Sequence, residues 1–266
     1  MPDPNAVEKG ARKVLPIIYV LDISGSMSGN PIGALNQAMS ETMPVLREIE
    51  ATNTGAQIKI GALTFATDVH WVSNGLEEID DFFWNDVTAG GLTALGAALN
   101  ELNDKMSRNA MFQSDTGFKL PVLIFLSDGA PTDGWETALA TINQENKWFA
   151  NSTKIAIALG QSADKDVLTK VVDNNPEAVI SVDDLETLKK LIPVLSATAS
   201  KIGSVSKINH GQGNVGQIID ETKGGIGMND PSNGEPQVAP APTPAPAPDP
   251  SSNPSPSGGW EDDDWK

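Results

Sequence analysis

Residues 14–21 read VLPIIYVL, an unbroken apolar run rich in β-branched side chains, and Asp22 closes it. A run of this length without polar alternation fits a strand buried on both faces, which needs helices above and below it. The pattern returns at LPVLIFLSD, residues 120–128, again apolar and again ended by an aspartate. KIAIALG (154–160) and EAVISV (177–182) read as further strands.

Helical spacing fills the intervals. In 31–50, Ile32, Leu35, Met39, Met43, Leu46 and Ile49 fall three or four apart. Pro31 suits the first turn there, and Pro44 is placed to kink the helix. Residues 93–106, 134–150, 164–174 and 184–202 read as helices, the last with Asp183 or Asp184 as its N-cap. QIKIGALTF (57–65) reads as a strand, with VHWV (69–72) as its hairpin partner at the sheet edge. This alternation predicts an α/β fold: a doubly wound, mostly parallel sheet with one antiparallel edge strand.

A chain of 266 residues accommodates one such domain with extensions. The expected organisation is an N-terminal segment at 1–13, the α/β domain at 14–202, a Gly/Asn-rich linker with room for partial order at 203–229, and a tail at 230–266. The tail is rich in Pro and Ala, which build no core, so disorder is expected. It ends in WEDDDWK, where Trp260 and Trp265 flank four acidic residues. No internal repeat is visible.

The formal charge of −17 argues against nucleic acid and anionic membrane surfaces as partners. The absence of cysteine excludes disulfides, thiolate metal sites and cysteine nucleophiles. The N-terminus carries no apolar secretory region, and no run is long enough to span a bilayer, so the expectation is a cytoplasmic protein.

In a doubly wound sheet, ligands sit at the carboxyl ends of the strands, where the strand order reverses. DISGSM (22–27) and SDG (127–129) fall at such ends, and AGGLTAL (89–95) opens a helix after a double glycine, so three loops can meet there. Together they offer Asp22, Ser24, Ser26, Thr93 and Asp128, two carboxylates and three hydroxyls. Such hard oxygens suit Mg²⁺ or Mn²⁺. The alternate spacing of Asp22, Ser24 and Ser26 lets one extended loop turn all three to the same side. With so little ligand charge, the ion stays electrophilic and has room for one more anionic oxygen. Taken singly, Asp22 and Asp128 are ordinary turn aspartates, Ser24 and Ser26 satisfy a turn, and Thr93 caps a helix. The metal reading rests on all five occurring together. Asp133 reads as a loop or cap residue, the methionines at 39, 43 and 106 as core, and Trp84 as a core anchor. His70 and His210 receive no role, and the acidic run of Glu77, Glu78, Asp80, Asp81 and Asp86 reads as a solvated face.

DISGSM, GGLTAL and LSDGAPTD, in that order, resemble the von Willebrand factor A (VWA) domain and its metal-ion-dependent adhesion site. The resemblance covers 14–202 and implies a Rossmann-like VWA fold. It implies direct coordination by Ser24, Ser26 and Thr93, with Asp22 and Asp128 acting directly or through water. It further implies that a protein partner offers Glu or Asp to the metal, and that the chain is not an enzyme. A narrower resemblance, to the bacterial stand-alone TerY-like type, implies tellurite-resistance or stress-response complexes with a protein kinase and a PP2C-type phosphatase of the same operon.

Two other readings compete. Haloacid-dehalogenase-like phosphohydrolases also place an aspartate after the first strand, but their general acid falls where Ser24 stands. A tail-driven adaptor would use the folded domain only as a platform. In a variant of the first reading, the chain's own C-terminal tail offers its carboxylates to the site in cis. A P-loop is absent.

Overall fold

A computed structural model describes residues 11–205 and 214–228. The elements run β1 (Val14–Asp22), α1 (Asn30–Thr52), β2 (Gln57–Phe65), β3 (Val69–Trp71), β4 (Glu77–Glu78), α2 (Leu95–Lys105) and β5 (Val122–Ser127). They continue α3 (Trp135–Glu145), α4 (Lys147–Ala150), β6 (Thr153–Leu159), α5 (Lys165–Val171), β7 (Val179–Val182), α6 (Leu185–Val205) and α7 (Val215–Gly225). The sheet order is β3-β2-β1-β5-β6-β7, with β4 also paired to β2. Every pairing among β1, β2, β5, β6 and β7 is parallel. This is the doubly wound α/β architecture that the alternation predicts.

β1 lies at the centre, and all nine of its residues are buried. Its side chains alternate between two helical layers. Tyr19 faces the layer made by α1 and α6, where its hydroxyl donates to Ser196 Oγ at 2.7 Å. α2 and α3 pack against each other in the other layer. The chain moves from β1 to β2 in one direction and later from β5 to β6 in the other. The strand order therefore reverses between β1 and β5, and their carboxyl ends flank the crevice.

Several local features depart from the sequence expectation, and others, such as the Asp184 cap and the placement of Trp84, meet it. The antiparallel edge is built from two short pieces, β3 and β4, both on β2. Glu77 and Glu78, read as part of a solvated face, form β4. The helix expected at 134–150 is two helices. Asn146 breaks it, because its side-chain oxygen accepts from Trp148 N and Phe149 N and so caps α4. α1 runs through Pro44 without ending. Asp184 caps α6 by accepting from Thr187 N at 2.7 Å. Trp84 is half-buried against the core, and its indole N–H donates to Asn36 at 3.2 Å. The segment assigned to a linker contains α7, which buries Val215, Ile218, Ile219 and Thr222 and packs on α6. The expected disordered tail, the first ten residues of the N-terminal segment and His210 lie outside the described residues.

Candidate metal centre

β1 delivers Asp22 to the crevice fully buried. Asp22 Oδ1 accepts from Ser24 N at 2.8 Å, and its Oδ2 accepts from the Ser127 hydroxyl at 2.6 Å. Burial raises its pKa above the usual carboxylate range; the Ser127 and Ser24 bonds oppose that shift, and Asp128 adds a smaller upward push. From Asp22 the chain turns through a short 3₁₀ segment, Gly25–Met27. Ser24 Oγ lies 3.0 Å from Ser26 Oγ, and the Ser26 hydroxyl donates to Asp128 Oδ1 at 2.7 Å. Asp22, Ser24, Ser26 and Asp128 thus form one connected polar group across the switch point. Thr93 is buried on the adjoining loop and shares a narrow crevice with Ser127 and Gly129.

The loops that carry these residues hold one another. Gly25 N donates to Gly91 O at 3.0 Å and Gly90 N to Ile23 O at 2.8 Å. Leu92 N donates to Thr67 Oγ1 at 3.0 Å. Gly91 has a φ of +82°, and a Cβ there would stand 2.5 Å from Thr67 Oγ1, so only glycine fits. Thr132 and Asp133, which follow Asp128, reach the Thr93 loop from the other side. Sequence reasoning passed over Ser127, Thr67 and Thr132. Ser127 and Thr132 both stand within LSDGAPTD, whose visible signal is Asp128. Asp133, read as a cap, caps a helix from a different loop.

The donor set fits a hard divalent cation. Its donors are all oxygens, only two are charged, and four of the five residues are joined by hydrogen bonds, with Thr93 on the adjoining loop. Among the described residues no group of three or more His, Cys, Asp or Glu could hold a metal, so an ion here depends on the hydroxyls. The rim beside Thr93 exposes Leu92, 59% accessible, whose N–H is held by Thr67.

The sequence model of the von Willebrand factor type A domain matches residues 17–193, from the middle of β1 into α6. The chain belongs to that family. Human inter-alpha-trypsin inhibitor heavy chain H6 is 26% identical over 164 residues, 58% of this chain and 12% of that protein. The VWA fold is shared with a von Willebrand factor type A protein from Catenulispora acidiphila, at a TM-score of 0.51 and 16% identity, covering 73% of this chain and 43% of that one. It is shared as well with the ArnB paralog VWA2 from Sulfolobus acidocaldarius, at a TM-score of 0.50 and 18% identity, covering 69% of this chain and 45% of that one. This chain therefore spans about an eighth of the curated relative's length and under half of each of those two solved chains. VWA domains form a family of protein-interaction modules. In this one, no helix among the described residues is long and apolar enough to cross a membrane.

Proposed function

We propose that this VWA domain captures a protein partner by holding a divalent cation, Mg²⁺ or Mn²⁺, which accepts a Glu or Asp side chain of that partner. The supporting observation is the connected group of Asp22, Ser24, Ser26 and Asp128 at the strand-order reversal, with Thr93 on the adjoining loop. Ser24, Ser26 and Thr93 would hold the ion through hydroxyl oxygens, and Asp22 and Asp128 would balance its charge. The ion's contribution would be an electrophilic open position, and the chain's contribution would be to fix the five oxygens around it. The role is binding rather than catalysis.

Titration of the purified protein with Mn²⁺ tests this directly. Saturable binding that vanishes in Asp22→Ala, with far-ultraviolet circular dichroism unchanged, is the expected result. Equal binding by Asp22→Ala would remove the assignment. Hydrolysis of an aryl phosphate that disappears in the same variant would replace it with a phosphohydrolase.

The narrower reading places the module in the cytoplasm, as a TerY-like component of a bacterial stress-response complex, tellurite resistance included. A protein kinase and a PP2C-type phosphatase of the same operon would then be its partners. That reading rests on the sequence resemblance, and co-purification of those two proteins, abolished by a chelator, tests it.

A further inference from the structure

Asp133 stands apart from the connected polar group but is tied to the fifth candidate ligand. α2 starts behind Ala94, whose side chain cannot cap it. The first N–H groups of a helix have no partner within the helix. Asp133 supplies partners from the loop after β5: Oδ1 accepts from Gly96 N and Oδ2 from Ala97 N, each at 3.0 Å. The approach depends on Gly96, where a Cβ would stand 2.9 Å from Asp133 Oδ2 and 3.0 Å from Trp135 Cα. One residue earlier, Thr132 holds Thr93 itself. Its Oγ1 accepts from Thr93 N at 3.2 Å, and its own N–H donates to Thr93 O at 2.9 Å. Four hydrogen bonds therefore join the segment that begins at Thr93 to the segment that begins at Asp128.

We infer that Thr132 and Asp133 are positioning residues for the metal, a clamp that sets the Thr93 hydroxyl against the Asp128 carboxylate. The inference rests on the metal reading above. The physical reason is the narrow tolerance of a small hard cation. Mg²⁺ requires near-octahedral oxygens at about 2.0–2.1 Å, so ligands from separate loops must be held in register before the ion arrives. Asp22, Ser24 and Ser26 share one turn and are registered by covalent geometry. Thr93 and Asp128 come from different crossovers and need a bridge. Asp133 serves the ion without touching it, and as an anion at the positive end of α2 it also steadies the helix that Thr93 precedes.

Mn²⁺ alone is a sufficient probe, with free ion counted by electron paramagnetic resonance. Asp133→Asn keeps the volume but turns one of the two accepting oxygens into an NH₂ donor, so Gly96 N and Ala97 N no longer each have an oxygen of their own. Thr132→Val keeps the shape but removes the acceptor for Thr93 N. Each is expected to weaken Mn²⁺ binding by about tenfold, the usual cost of losing a group that orients a ligand. Leu99→Ala, a buried change in α2 that removes none of the four hydrogen bonds, controls for general loss of stability. It should lower the melting temperature and leave Mn²⁺ affinity intact. The clamp is overturned if Thr132→Val and Asp133→Asn bind Mn²⁺ like the unaltered protein while Asp22→Ala does not. It is overturned too if Leu99→Ala weakens binding as much as they do. Undiminished binding by Asp22→Ala would instead overturn the metal reading itself.

Discussion

Tyr19 is the chain's one tyrosine, buried in β1 with its hydroxyl on Ser196. Burial drives its pKa well above the ordinary value near 10, and the Ser196 contact offsets only part of that. The unfolded chain therefore releases this proton first, and the folded chain binds more protons above pH ~10. The stabilising contribution is complete below that pH and is lost as pH rises through the folded pKa. Tyrosinate absorbance should stay silent at pH ~10 and appear only together with unfolding. A smooth titration near pH 10 in the folded state would show that the hydroxyl reaches solvent. Lys154 poses the opposite case. Its ammonium is fully buried, bonded to both carboxylate oxygens of Asp173 at 3.0 and 2.8 Å and placed over the Phe149 ring. Burial lowers its pKa, and Asp173 pulls it back up. Asp173→Asn should cost about 3 kcal/mol in urea unfolding, because it leaves the cation without its counter-charge. Asn tolerates the positive φ of 62° at that position, so the backbone is unaffected. Lys154→Met should be close to neutral, since it removes the charge and its desolvation cost together. The reverse ranking would mean that the pair is not charged. KIAIALG displays the strand but not this pair, whose partner lies 19 positions away beyond a helix.

α7 shows what composition conceals. Val215, Ile218, Ile219 and Thr222 fall at helical spacing on one buried face, yet the surrounding Gly and Asn residues suggested a linker. Removing residues 206–266 should uncover the side of α6 that α7 covers and lower the melting temperature by several degrees. Removing 230–266 should leave it unchanged. Equal melting temperatures for the two truncations would mean that α7 adds nothing to the fold. The buried strands were legible, because an apolar run long enough to cross a sheet has few alternatives. Boundaries set by one polar side chain were not. Asn146 divides α3 from α4 by bonding two N–H groups and also donating to Asn103 O and Met106 O. A helical pattern alone does not announce such a break. Asp22, Ser24, Ser26 and Asp128 were legible because they end or follow an apolar run, and Thr93 because it opens a helix after a double glycine. The groups that hold them, Ser127, Thr67 and Thr132, were not, because their role is defined by a neighbouring loop and not by their own.

Across the whole chain, the acidic end WEDDDWK carries the chemistry that the proposed ion lacks, a free carboxylate. If that acidic end competes with a partner for the proposed ion, deleting 230–266 should tighten partner binding. Docking of the tail on a neighbouring protein predicts loss of binding instead, and unchanged affinity leaves it a solubilising end. The interlocked loops carry a further consequence, for the order in which the protein is made. Ser26 meets Asp128 across 102 positions and Asp22 meets Ser127 across 105. A ribosome will have released β1, α1 and β2 long before β5 exists, and during that interval one edge of the central strand has no neighbour. Contacts so distant in sequence are slow to form. The proposed site is thus assembled only once β5 has emerged, and a nascent domain that lacks β5 has no Asp128 with which to hold the proposed ion.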